Sequence, residues 1–375
     1  MSDVLSFPGL GLELTINPIL AEIGPFSIHW YGVIFALAFL AGTCFLLWKA
    51  KDFGVNADRA FDVLLAAFVG GIICARAYYV IFAWNEMNYA ENPIRVFYIW
   101  EGGIAMYGGL IGAFAVGLWM CRVRKVKSLP MLDVAGISLL LAQAIGRWGT
   151  FINMEAFGVN TDLPWGMTSQ TIHNYLAYHM ESLAGMGITV DPSLPVHPTF
   201  FYESAWNLIG FLVLAFVLAP RRRFDGQMFL GYLAWYGAGR CVVEGLRTDS
   251  LMWGNIRVSQ ALALICAVVC TALIFVVLRK IKEKGDPDYL KLYALTEEGQ
   301  AAVSGALYQK PGDGEETLLK DEARGEETGT GEDPEEPAEA LAGQEASAPG
   351  EEEDNGGALE ETAVGEDDDR NGEDA

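Results

Sequence analysis

Lysine and arginine are missing from the first 27 residues and from residues 150–198. Charge of either sign is almost missing from seven further stretches, near 28–48, 61–82, 104–121, 132–150, 199–219, 228–245 and 258–279. About 17–25 apolar residues are what a ~30 Å hydrocarbon core requires of a crossing helix. Cysteine is absent where an oxidising compartment would use it. Cys44, Cys74, Cys121, Cys241, Cys266 and Cys270 all lie in or beside the apolar stretches, so no disulfide framework is expected. His29, His173, His179 and His197 fall at no metal-ligand spacing, so no metal centre is expected. No lysine occurs in 258–278, which excludes a photoreceptor with a Schiff base deep in its last span. The glycine-broken segment Ile99 to Gly112 has no counterpart in the second half, against the paired halves of many transporters. The first twenty residues have neither a basic region nor a continuous apolar core, so no cleavable signal peptide is expected.

What is present divides sharply. The formal charge is −23 although 52% of residues are hydrophobic. Residues 285–375 hold 29 acids and 5 bases, a net of −24, which leaves residues 1–284 at +1. The expected fold is therefore an all-α polytopic membrane protein. It comprises a domain of about seven transmembrane helices over 1–284, with an extracytoplasmic head inserted at 150–198, and an acidic tail over 285–375. The head holds Trp165, Tyr175 and Tyr178, enough for an ordered cap with a helix near 170–185. The tail is expected to be disordered apart from a short amphipathic helix within 289–307, because it has too little apolar surface to offset ordering entropy.

Basic residues set the orientation. They cluster after the first, third, fifth and seventh stretches: Lys49 and Lys51; Arg122, Arg124, Lys125 and Lys127; Arg221 to Arg223; Arg279, Lys280, Lys282 and Lys284. The opposite loops hold only Arg95, Arg247 and Arg257. The positive-inside rule then places the N-terminus outside and the C-terminus in the cytoplasm, as an odd number of spans requires.

Against this background the charges that do enter the apolar stretches stand out. An arginine at bilayer depth costs about 2.5–3.5 kcal/mol on insertion scales, which marks it as functional, as half of a structural ion pair, or as a side chain snorkelling to the interface. Arg147 lies in GRWGTFINMEAFG (Gly146 to Gly158), with Asn153, Glu155 and Gly158. Tyr236, Arg240, Glu244 and Arg247 recur at spacings of four, four and three, one stripe of a helix on which Arg240 and Glu244 can pair. His29, Trp30 and Tyr31 stand at the outer end of the first span. Glu101 to Gly103 and Tyr107 to Gly109 open the third, where the glycines serve either close helix packing or a backbone site. All four groups fall toward the outer ends of their spans. Two or more arginines at one site imply an anionic ligand, with phosphate the obvious candidate for a bidentate guanidinium.

These blocks resemble those of the prolipoprotein diacylglyceryl transferases. GRWGTFINMEAFG is similar to that family's signature segment, and HWYG (29–32), YGGLIG (107–112), HPTFFYE (197–203) and YGAGRCVVEGLR (236–247) follow its other blocks in order over roughly residues 15–282. The resemblance implies a bacterial plasma-membrane enzyme with seven helices and an outside head. It implies transfer of a diacylglyceryl group from phosphatidylglycerol to the lipobox cysteine of a prolipoprotein signal peptide, forming a thioether and releasing glycerol phosphate. By the same resemblance Arg147 and Tyr31 would bind substrate, Asn153, Glu155 and Gly158 match the signature, and the family's later pair falls on Arg240 and Glu244; the residues themselves add Asn153, Gly158, Gly108, Gly109, Tyr236 and Arg247 as substrate-binding candidates and Tyr107 and Glu155 as candidates for the chemistry. Arg147 and Arg240 would stabilise the departing phosphate, with Glu244 orienting Arg240 and Glu155 orienting Arg147 or accepting the thiol proton. The substrate brings the nucleophile, so no cofactor is expected, and no nucleic-acid partner. Two positions depart from the family: Tyr107 stands where many members have histidine, and Thr150 where asparagine is usual. A tyrosine near its ordinary pKa of about 10 is a poor base at neutral pH. The competing reading is a transporter for an anionic solute, which would call for polar residues along both halves of the bilayer.

Overall fold

The computed structural model describes residues 3–24, 26–98, 102–248, 252–253 and 256–309. The chain opens with two antiparallel hairpins, β1 (Asp3–Phe7) with β2 (Leu12–Ile16) and β3 (Ile19–Ile23) with β4 (Phe26–His29). Pro8 and Gly9 begin a tight turn between β1 and β2, and Gly11 at φ +62° closes it. Helices α1 (Trp30–Lys49), α2 (Ala57–Phe82), α3 (Met106–Val123) and α4 (Ser128–Ile152) follow. The inserted segment carries α5 (Gln170–Gly185), where the aromatic content called for a helix. Then come α6 (Thr199–Leu212), prolonged by a wider-pitched turn to Leu218, and α7 (Gln227–Glu244). A two-residue ribbon, β5 (Met252–Trp253) with β6 (Ile256–Arg257), leads into α8 (Val258–Lys284).

Among the described residues, six helical segments are long and apolar enough to cross a membrane: 30–53, 57–82, 106–123, 128–152, 199–221 and 258–284. The expected span at 228–245 is also a helix, α7, but is not among the six. Its glycines and its Arg240 and Glu244 dilute the apolar content. The central helix is α4: half of its most apolar window is buried in protein, against 11% for α8. It packs on α1, α6 and α7, while α2 pairs with α3.

The charges inside the second and fourth spans have structural partners. Asp62 pairs with Arg124. Asp133, wholly buried in α4, accepts the backbone N–H of Gly226 (2.7 Å) and of Phe229 (2.8 Å), so it caps the start of α7. Arg76 donates from Nε to Val96 O (2.8 Å), from Nη1 to Gly102 O (2.7 Å) and Gly103 O (2.9 Å), and from Nη2 to Arg95 O (2.7 Å). One guanidinium thus ties down the loop that leads to α3.

At the end of the bundle holding Gly54 and Lys127, the chain beyond α8 folds back. Tyr293 is buried and its N–H is held by Asp225 (2.8 Å). A short helix, α9 (Glu297–Ser304), sets Glu298 3.2 Å from Lys127. It falls within the stretch expected to hold one; the remainder of the acidic tail, from residue 310, lies outside the described residues.

Candidate active site

Alternating chain direction brings the C-terminal end of α4, the first turns of α6, the C-terminal end of α7 and the start of α1 to one end of the bundle. Three arginines meet there on one carboxylate. Glu203, in the second turn of α6 and 4% exposed, is bonded through Oε2 to Arg147, while its Oε1 lies 3.3 Å from Arg240 Nη1 and 3.4 Å from Arg247 Nη1. Arg240 uses its other terminal nitrogen on Glu244 Oε2 at 2.6 Å, one turn along the same helix. Arg257 donates to the carbonyl of Glu244. The side chains of Arg147 and Arg240 remain 20% and 21% exposed, against 4% and 2% for the two glutamates. The carboxylates therefore sit behind and the guanidiniums face outward, an arrangement that offers charge-assisted donors to an anion.

The contact between α6 and α7 that sets this register is a reciprocal pair of tryptophans. Trp206 Nε1 donates to Trp235 O and Trp235 Nε1 to Trp206 O, both at 2.9 Å, with the rings stacked 4.8 Å apart. Each indole lies over a glycine of the facing helix: a Cβ on Gly210 would stand 2.3 Å from Trp235, and one on Gly239 2.3 Å from Trp206. Glu203 and Arg240 flank this clasp.

The signature loop is sewn to two other segments. Gly158 N–H donates to His197 O (2.9 Å), Val159 N–H to Leu246 O (2.8 Å), and the Thr199 hydroxyl to Ala156 O. A Cβ on Gly158 would lie 2.8 Å from that of His197, so this glycine permits close backbone approach. Glu155 is exposed and, among the described residues, accepts only a long contact from Asn153 Nδ2 at 3.4 Å. Its neighbours Met154 (φ +53°) and Ala156 (φ +58°) adopt the left-handed conformation, which costs a residue with a Cβ roughly 1–2 kcal/mol. Ala156→Gly should accordingly raise stability by about 1 kcal/mol, read as a higher thermal midpoint in detergent; an unchanged or lower midpoint would show that the loop is not strained there.

The structure places the remaining candidates as follows. Tyr31 lies against Gly149, where a Cβ would come 3.0 Å from its ring, so it stands beside the helix turn that carries Arg147. The Thr150 hydroxyl donates to Arg147 O (2.7 Å) and is spent on the helix backbone. Tyr236 is half-buried and stacks on Tyr232 with centroids 6.0 Å apart. Gly108 and Gly109 face α2: Cβ atoms there would stand 2.3 Å from that of Tyr78 and 3.3 Å from that of Ala75, the close approach that small residues give paired membrane helices. Tyr107 is 57% exposed on the first turn of α3 and makes no hydrogen bond among the described residues. Glu101 lies outside the described residues. Arg147, Arg240, Glu244 and Arg247 are thus brought together. The carboxylate on Arg147 is Glu203, not Glu155, and Glu203 is the member of this cluster that reading the sequence passed over. The signal was there, an acid at the mouth of the fifth apolar stretch. The described residues contain no cluster of three or more potential metal ligands.

His197, at the seam with the signature loop, has its Nδ1 3.2 Å from the Tyr202 hydroxyl. Burial holds its pKa below the ordinary 6.5. The unfolded chain therefore takes up the proton first as pH falls through about 6.5, and stability present above that value is lost below it. The thermal midpoint should drop more between pH 7.5 and 5.5 for the natural protein than for His197→Gln; equal drops would contradict this.

Comparison with known proteins gives a consistent result. A family model described as prolipoprotein diacylglyceryl transferase matches residues 18–276. The chain is 41% identical over 273 residues to a phosphatidylglycerol–prolipoprotein diacylglyceryl transferase of Limosilactobacillus reuteri, covering 72% of this chain and 94% of that one. It is 38% identical over 276 residues to the protein of the same name from Bacillus velezensis, covering 73% and 96%. The corresponding figures for Listeria monocytogenes serovar 1/2a are 39% over 268 residues, covering 71% and 91%.

Proposed function

This chain belongs to the prolipoprotein diacylglyceryl transferase family, and we infer that it carries out the reaction for which its relatives are named. It transfers the diacylglyceryl group of phosphatidylglycerol to the lipobox cysteine of a prolipoprotein, the first step of bacterial lipoprotein maturation. The observation that carries this reading into the site is the pair of outward-facing guanidiniums, Arg147 and Arg240, backed by buried Glu203 and Glu244.

The chemistry these residues support is a displacement at carbon. The cysteine sulfur forms a bond to the glyceryl carbon, the carbon–oxygen bond to phosphate breaks, and the electron pair leaves on glycerol phosphate. Negative charge grows on the phosphate as that bond lengthens. Arg147 and Arg240 meet it with donors already oriented by their carboxylates, so little reorganisation is required during the step. A thiol with a pKa near 8.5 supplies a few per cent thiolate at neutral pH, and the same cations raise that fraction. Glu155, exposed beside the strained loop, is the carboxylate left free to take the thiol proton; Glu203 and Glu244 are committed to arginines. Asn153 reaches Glu155 by a long contact, Tyr31 and Tyr236 flank the arginines, and Arg247 completes the cluster around Glu203.

In the same reading α7 is the sixth of seven spans, the segment 150–198 caps the outer face, and the C-terminus is cytoplasmic. The tests are genetic and local. Expression in a bacterium depleted of its own transferase should restore lipidation of a reporter prolipoprotein, seen as a shift in gel mobility; no shift from stably inserted protein would overturn the reading. Tyr107→Phe should keep at least half of that activity, because the hydroxyl makes no hydrogen bond to the cluster. A loss of tenfold or more would place the hydroxyl in the chemistry.

A further inference from the structure

One turn further into the bundle than the ionic cluster lies a polar group that the reaction above does not use. Gln143 precedes Arg147 by four residues on α4, about 6 Å along the helix axis. Its Nε2 donates to the Tyr232 hydroxyl on α7 at 3.1 Å, which fixes the amide. Its Oε1 is buried with no hydrogen-bond partner among the described residues. A buried amide acceptor left unmade costs roughly 1–3 kcal/mol, so its retention in an apolar bundle calls for a reason. Tyr232 is itself buried, packed in the core.

The helix face toward Arg147 is open at one position. Gln143, Gly146, Arg147 and Thr150 form one stripe of α4, at spacings of three, one and three. A Cβ on Gly146 would meet no heavy atom within 4 Å, unlike those on Gly136 and Gly149 in the same helix. The stripe is therefore open at Gly146, between Gln143 and Arg147 in the chain, while Gln143 Oε1 itself is covered, so a hydroxyl reaching it has to displace the side chains over it.

We propose that Gln143, oriented by Tyr232, reads the hydroxyls of the lipid headgroup. The assignment rests on the transfer reading above. With the phosphate on Arg147 and Arg240, the glycerol attached to it is a three-carbon arm ending in a hydroxyl, and about one helical turn separates phosphate and acceptor. A hydroxyl donates to Oε1. A cationic headgroup would enter the field of two arginines, and a purely alkyl one would leave the acceptor unmet. Gln143 is thereby a specificity residue, and it also helps to retain glycerol phosphate as the leaving group.

The test crosses one protein change with one lipid change. Transfer to a lipobox peptide is measured from phosphatidylglycerol and from phosphatidylpropanol of the same acyl chains, which lacks the headgroup hydroxyls. The natural protein should prefer phosphatidylglycerol by about tenfold or more in kcat/KM. Gln143→Met, close in size, should bring that ratio near one while leaving the rate with phosphatidylpropanol unchanged. Tyr232→Phe, which keeps the packed ring and frees the amide, should give an intermediate ratio. An unchanged ratio in Gln143→Met, an equal loss on both lipids, or a natural protein indifferent to the hydroxyls would each overturn the assignment. A natural protein that transfers from neither lipid would instead overturn the transfer reading itself.

Discussion

Arg240→Ala should lower transfer by about 10³-fold or more while the protein still inserts and folds. Removing one preorganised donor from a site where negative charge develops typically costs 10²–10³ in rate. Arg240 does more than donate: it spans Glu203 and Glu244 with its two terminal nitrogens, at 3.3 and 2.6 Å. Truncation therefore removes a donor and also leaves two buried carboxylates short of a partner. Arg240→Lys tests the geometry apart from the charge. A single ammonium cannot hold both carboxylates and still face a phosphate, so it should recover less than a tenth of the activity. Kinetics on purified variants with matched thermal midpoints would decide this, and normal turnover by either variant would remove Arg240 from the mechanism.

The second large effect falls on Glu203. Glu203→Gln keeps the shape and removes the charge on which Arg147, Arg240 and Arg247 converge. Breaking a buried ion pair by removing one partner typically costs 3–5 kcal/mol, because the other charge is left uncompensated. The arginines here are partly exposed, so about 3 kcal/mol is expected, read as a lower midpoint in thermal or denaturant unfolding. Activity should fall by about 10²-fold with it, since the two guanidiniums proposed to meet the phosphate lose their common anchor. Glu203→Asp, which retains the charge on a shorter stem, should recover stability more than activity. If Glu203→Gln proved as stable and as active as the natural protein, the cluster would be a surface arrangement without consequence.

Much of the architecture was legible because the bilayer imposes a simple rule on composition. Runs of bilayer length marked α1 to α4, α6 and α8 within a few residues, and the aromatic residues of the inserted segment marked α5. The two N-terminal hairpins were not anticipated: their strands are at most five residues long, and β1 and β2 meet through a turn with no Asn-Gly or Asp-Gly signal. Within the site, the pairing of Arg240 with Glu244 followed from helical spacing alone. Glu203 did not, because its partners lie 56, 37 and 44 residues away in sequence, and only the packing of α4, α6 and α7 reveals them. The partners of Asp133 and Arg76 are backbone groups brought close by tertiary contacts, which no side-chain pattern encodes. Gly108 and Gly109 illustrate the converse: the sequence allowed both packing and a backbone site, and their close approach to Tyr78 and Ala75 occupies them with packing.

We propose that this chain moves a diacylglyceryl group onto a cysteine sulfur through the arginine cluster held by Glu203. The most direct test is mass spectrometry of a synthetic lipobox peptide incubated with purified protein and phosphatidylglycerol, beside a Cys→Ser peptide and the Arg240→Ala protein. A diacylglyceryl mass gain is expected on the cysteine peptide alone, with glycerol phosphate released, and none with the variant. No gain with the natural protein, or an equal gain with Arg240→Ala, would contradict it.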